Sequence, residues 1–132
     1  MSLQIHGIHH VVFTVSDPAK SATFYEMVLG VKAFPGDERV RCISCANFLL
    51  CFQRPPKQGL PDDRFDENRL GLDHIGFSVK SRQQLEDLLV VLQKLGVETA
   101  GIEFDPDGEG DYVCFRDPDN IQVEFYVGDY QG

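Results

Sequence analysis

The chain has 132 residues, 42% of them hydrophobic and 11% aromatic, and a formal net charge of -9. That length suits one domain, or two half-domains sharing a core. The acidic balance argues against nucleic acid or an anionic membrane as partner, because phosphate binding needs clustered Lys and Arg. No apolar run reaches the ~18 residues of a membrane helix, and no basic segment followed by an apolar one marks a secretory signal.

In chain order, residues 4–15 alternate as a strand does and end at Ser16-Asp17-Pro18, a cap candidate with an early proline. Ala22, Phe24, Tyr25, Val28 and Leu29 then follow at helical spacing, and Gly30 stops them. Strand-like runs lie near 31–35, 39–46 and 47–53. Residues 54–69 are rich in Pro, Gly and Asp and read as a linker. A strand covers 70–79. Ser81-Arg82-Gln83-Gln84 predicts a capping box, and Leu85, Leu88, Leu89, Leu92 and Leu95 form a helix stripe ended by Gly96. Strands near 97–104, 111–116 and 120–127 complete the chain.

The two halves repeat. Gly7-Ile8-His9-His10-Val11-Val12-Phe13-Thr14-Val15 returns as Gly71-Leu72-Asp73-His74-Ile75-Gly76-Phe77-Ser78-Val79. Leu29-Gly30-Val31 matches Leu95-Gly96-Val97. The expectation is α+β: two βαβββ modules, one over 4–53 and the other over 70–128, joined by the linker 54–69.

Strand parity sorts the residues by face, since alternate residues share a side. Val11, Phe13, Val15, Phe48, Leu50, Phe52, Ile75, Phe77, Val79, Ile121, Val123, Phe125 and Val127 fall on one side and should pack under the helices. His10, Val12, Thr14, Leu49, Cys51, Gln53, His74, Gly76, Ser78, Gln122, Glu124 and Tyr126 fall on the other. His10, His74 and Glu124 are therefore the candidate metal ligands. Two imidazoles and a carboxylate with open positions form the facial set expected of Fe(II), and they also suit Mn, Co, Ni or Zn. Thr14, Gln53, Ser78, Tyr112, Gln122 and Tyr126 are candidates to orient a substrate. No residue stands out as a catalytic base. His9 falls on the helix side, with a packing or hydrogen-bonding role expected, and His6 shares the parity of His10.

Cys42 and Cys45 form a C-x-x-C inside an apparent strand, where the two point to opposite faces, unlike a redox motif at a helix start. Structural, reduced thiols are expected, and with them a cytoplasmic location.

The strands HHVVFTVSD and LDHIGFSV, the helix end FYEMVLG and the run FRDPDNIQVEFY resemble the vicinal oxygen chelate superfamily. That superfamily includes glyoxalase I, bleomycin-resistance proteins, extradiol dioxygenases and fosfomycin-resistance enzymes. The resemblance covers almost the whole chain. It implies paired modules forming a cupped mixed sheet with helices outside, around one divalent metal held by His10, His74 and Glu124. Glyoxalase I carries a carboxylate where this chain has Cys51, which counts against that activity. Residues expected of the fosfomycin group are replaced here by Val12, Tyr112 and Cys114, which counts against a phosphonate substrate. The implied function is a metal-dependent enzyme, dioxygenase-like or glyoxalase-like, acting on a small substrate that chelates through adjacent oxygens. The alternative is a metal-free bleomycin-resistance-like binding protein whose acidic cavity takes a cation. Exposed sheet edges make a homodimer the expected assembly.

Overall fold

The computed structural model describes residues 2–130. The first compact unit runs to Asp63 and the second starts at Arg64. The first holds β1 (His10–Thr14), α1 (Pro18–Leu29), β2 (Val40–Cys45) and β3 (Phe48–Gln53). The second holds β4 (His74–Val79), α2 (Arg82–Lys94), β5 (Glu103–Asp105), β6 (Gly110–Arg116) and β7 (Gln122–Val127). Strand order is β1-β3-β2 in one sheet and β4-β7-β6-β5 in the other. The fold is α+β, with one helix packed on one face of each mixed sheet.

Module one has three strands where four were expected. Residues 31–35 form no strand, although the Phe34 N–H reaches the Cys42 carbonyl at 2.9 Å. Residues 4–9 alternate in sequence but form no strand, and β1 begins only at His10. Alternation assigns a face to a residue, yet a strand also needs a ladder partner for its N–H and C=O groups. For the same reason the run at 97–104 shrinks to a β5 that starts at Glu103.

The helix ends follow the sequence closely. Asp17 caps α1 by accepting from the N–H groups of Ala19 and Lys20, and Pro18 takes the first helical position. At the end of α2, Val97 N–H bonds the Leu92 carbonyl and Gly96 N–H bonds the Gln93 carbonyl, with Gly96 at φ +69°. Those two bonds make a Schellman close, which only a residue tolerant of the left-handed region completes cheaply. The capping box at Ser81 is half made. The Ser81 hydroxyl makes no cap bond, while the Gln84 side chain reaches back to the Lys80 N–H at 2.7 Å.

Parity is borne out in part: Ile75, Phe77 and Val79 of β4 are only half-buried, because α2 packs on β6 and β7, and Cys51 on the opposite face is buried. Phe13, Leu50 and Phe52 are buried in module one, and Ile121, Val123 and Phe125 in module two. Tyr25 of α1 stacks on Phe52 at 4.7 Å between ring centroids and is fully buried. Each such apolar side chain contributes about 1.5–3 kcal/mol on burial. Leu85, Leu88 and Leu92 of α2 form the matching stripe in module two.

The part of the linker beyond residue 63 is not a free tether. Phe65 N–H bonds the Asp119 carbonyl at 3.0 Å, the Asn120 side-chain amide donates to the Phe65 carbonyl at 2.9 Å, and Arg64 donates to Asn120 at 3.0 Å. This clasp holds the β6–β7 turn. Inside the turn, buried Asp117 accepts from the N–H groups of Asp119 and Ile121, each at 2.9 Å. Removing that acceptor strands two N–H groups. Asp117→Ala is expected to cost about 1–3 kcal/mol in urea unfolding, against near neutrality if the turn relied on its backbone alone.

Candidate metal centre

The parallel register of β4 and β7 pairs His74 with Gln122 and Gly76 with Glu124. His74 and Glu124 therefore share the helix-free face, one on each of two neighbouring strands. Nε2 of His74 lies 3.6 Å from Oε2 of Glu124. That is too long for a hydrogen bond. It is close to the spacing of two ligands around one ion with bonds of about 2.1 Å. The other ring nitrogen, Nδ1, sits 2.8 Å from Oδ1 of Asp73. An ionised carboxylate only accepts, so it holds the proton on Nδ1 and leaves the Nε2 lone pair facing Glu124. The donor set and its supporting carboxylate thus fit a divalent metal. Asp73 was missed in the sequence reading, although it directly precedes His74.

Around this pair the face is aromatic and acidic. Tyr112 pairs with Tyr126, and Cys114 with Glu124. The two phenol rings lie parallel with centroids 6.2 Å apart. A Cβ at Gly108 or Gly110 would overlap the Tyr126 ring, so these glycines make its seat. Its hydroxyl donates to Asp105 at 3.3 Å. Partial burial and then the carboxylates of Glu103 and Glu124 push the Tyr112 phenol up; partial burial and then Asp105 push up that of Tyr126. Both phenols therefore stay protonated and can donate, and neither serves as a base at neutral pH. Burial and Glu124 likewise push the Cys114 thiol up. The Ser78 hydroxyl is engaged with the Gly128 carbonyl and lies 3.1 Å from Asp129. Gln122 stands beside His74 in the ladder.

Arg116 is neutralised where it stands. Its guanidinium makes a bidentate pair with Glu67, at 2.7 and 2.8 Å, and holds that carboxyl down to about 2.

In module one, His10 pairs with Leu49 and Val12 with Cys51. Thr14 and Gln53 meet in the last row of the same ladder. His9 precedes the strand and its Nδ1 lies 2.9 Å from Nδ1 of His10, one ring donating and the other accepting. His9 thus takes the slot that Asp73 takes in module two. The expectation of reduced thiols throughout is corrected. Cys42 and Cys51, opposite each other on β2 and β3, form a disulfide, while Cys45 and Cys114 are outside any disulfide. Cys42 and Cys45 do point to opposite faces, as strand geometry requires, but the partner of Cys42 lies across the hairpin. Among the described residues no three His, Cys, Asp or Glu side chains gather as a complete metal cage.

The model of the Glyoxalase/Bleomycin resistance protein/Dioxygenase superfamily matches residues 7–125. The chain belongs to this superfamily. Among its members, the chain is 30% identical over 128 residues to the metallothiol transferase FosB of Bacillus licheniformis, covering 95% of this chain and 77% of that protein. It is 30% identical to a glyoxylase/bleomycin resistance protein/dioxygenase domain from Frankia sp. EAN1pec, with TM-score 0.79, covering 96% of this chain and 100% of that one. A lactoylglutathione lyase from Agrobacterium tumefaciens shares the fold at TM-score 0.72 and 18% identity, over 94% of this chain and 95% of that one. No helix is long and apolar enough to cross a membrane, among the described residues.

The Glu67–Arg116 pair gives a pH signature. Because the folded carboxyl is held at about 2 against an ordinary 4.5, its stabilisation is complete above about 4.5 and is lost as pH falls towards 2. In urea unfolding, Glu67→Gln should be less stable than the parent at pH 7, and the gap should close between pH 4.5 and 2. A gap that stays constant would show that the pair contributes through shape alone.

Proposed function

We propose that this chain is a divalent-metal-dependent enzyme acting on a small substrate that chelates the ion through adjacent oxygens, by dioxygenase-like or glyoxalase-like chemistry. The observation that carries the reading is Nε2 of His74 turned towards Glu124 at 3.6 Å while Asp73 holds the opposite ring nitrogen. With the Nδ1 proton held by Asp73, the Nε2 lone pair and the Glu124 carboxylate offer two donors to one ion; a protonated imidazole bridging the two carboxylates is the arrangement that the metal measurements below distinguish from it. His10 is the third ligand, by the equivalence of its ladder position to that of His74. The ion is Fe, Mn, Ni, Co or Zn, and its part is to polarise the chelating oxygens or to bind O2. Tyr112 would donate a hydrogen bond to the substrate, Tyr126, whose hydrogen is given to Asp105, would accept one, and Gln122 would orient the substrate beside His74. Thr14 and Gln53 would do the same from module one, whereas Ser78 is already committed to Gly128. The protein is taken to act as a homodimer, with His10 supplied by the same chain or by the second copy.

Thiol transfer of the kind that FosB is named for is the second reading, favoured by 30% identity over 95% of the chain. Against a doubly charged phosphonate stand Glu103, Asp105 and Glu124 around the tyrosines, and Arg116 already bound by Glu67. A metal-free acidic cavity for a cation, the bleomycin-resistance-like alternative, gives no role to the Asp73–His74–Glu124 arrangement.

Protein purified without chelator should carry about one equivalent of divalent metal per chain, and His74→Ala and Glu124→Ala should fall below ~0.1. Asp73→Asn should still bind, about 10–100-fold more weakly. Elemental analysis showing no metal in the parent, with no uptake of added Fe, Mn, Ni, Co or Zn, would reject the reading.

A further inference from the structure

Cys42 and Cys51 face each other across β2 and β3, with Cα atoms 4.1 Å apart, and their sulfurs are joined. That spacing belongs to the closer rungs of an antiparallel ladder, whose two residues exchange no hydrogen bond. The Cys42 carbonyl turns outward instead and accepts from the Phe34 N–H at 2.9 Å. At this rung β2 is therefore held to β3 by the sulfur bridge, and Cys42 also carries the contact of residues 31–35 with the sheet. The two sulfurs differ in access. Cys51 lies on the central strand, with Val12 of β1 and Cys42 of β2 beside it, and is 8% exposed. Cys42 lies on the edge strand and is half-buried. In thiol–disulfide exchange the sulfur that can be reached is attacked, and its partner leaves. The other two cysteines stand outside this chemistry. Burial pushes the thiols of Cys45 and Cys114 up, which keeps them protonated and weakly nucleophilic.

We propose that the Cys42–Cys51 pair is a site of exchange with small thiols, attacked at Cys42, and that its state sets the stability of the β2–β3 hairpin. The first step forms a bond between the small thiol's sulfur and that of Cys42. The Cys42–Cys51 bond breaks, and Cys51 leaves as a thiolate that takes a proton from solvent. A second small thiolate then attacks its fellow in the mixed disulfide. A small disulfide departs, Cys42 takes a proton, and two electrons have passed to the protein. The reverse sequence, starting from a small disulfide, restores the bridge. Reduction leaves this rung with no tie between its strands, so β2 opens more readily and the Phe34–Cys42 contact loosens with it. None of these steps uses a metal ion or a residue outside the first unit.

The test uses the full chain in native buffer, with glutathione as the small thiol. Samples are quenched in acid, and adducts are located by mass spectrometry. The bridge should open faster than the chain unfolds globally, as timed by amide exchange in the core. A transient adduct should appear on Cys42 before any on Cys51. With oxidised glutathione, Cys51→Ser should take one glutathione at Cys42, and Cys42→Ser should take one at Cys51 about tenfold more slowly. The reduced parent should stay folded and melt about 5–10 °C lower than the oxidised chain. It should also exchange the amides of Phe34, Arg41 and Ile43 faster. Opening no faster than global unfolding makes the bridge a sealed structural bond and overturns the proposal. So does an adduct formed first on any cysteine but Cys42. Oxidised and reduced chains with the same melting point and the same exchange at those three amides overturn it as well.

Discussion

The structure around the candidate centre depends on the register of β7 against β4. Side chains alternate along a strand, so a slip of one residue would send Glu124 under α2 and bring Val123 or Phe125 out in its place. Several contacts prevent the slip. The Asp117 turn feeds β7 into the sheet, Gly128 N–H closes on the Val79 carbonyl at 2.9 Å, and Ser78 bonds Gly128 at the far end of the same pair. The buried side of β7, with Val123 and Phe125, makes any other register costly. Core packing and the His74–Glu124 spacing are therefore set by the same choice, one on each side of the strand.

This coupling explains what the sequence disclosed. Alternation in β3 and β7 showed which residues lie under the helices, because apolar side chains must leave water wherever the sheet is covered, whereas the apolar side of β4 is only half-buried. The repeat placed His10 and His74 in equivalent slots, and the paired ladders have that equivalence. Asp17, Gly30 and Gly96 announced the helix ends through local chemistry that needs no distant partner.

What stayed hidden is non-local. The bond between Cys42 and Cys51 depends on which residue of β3 faces which of β2, and spacing along one strand says nothing of that. The clasp of Phe65 and Arg64 on Asn120 joins residues more than fifty positions apart, so Pro, Gly and Asp content alone suggested only a linker. Strand length was overread for a related reason, since residues 4–9 have the pattern of a strand and no ladder. Asp73 was open to detection, as a carboxylate next to a candidate ligand, but parity directed attention to the opposite face.

The seat of Tyr126 has a geometric consequence for the face it shares with Glu124. Its ring is positioned by absent side chains at Gly108 and Gly110 rather than by its long bond to Asp105, so the phenol oxygen is a rigid landmark. Glu124 and Tyr126 lie two residues apart on one face of β7, which spaces their origins by about 7 Å. The strand thus acts as a ruler. The carboxylate of Glu124 and the phenol oxygen of Tyr126 are fixed about two strand residues apart, with the phenol hydrogen given to Asp105.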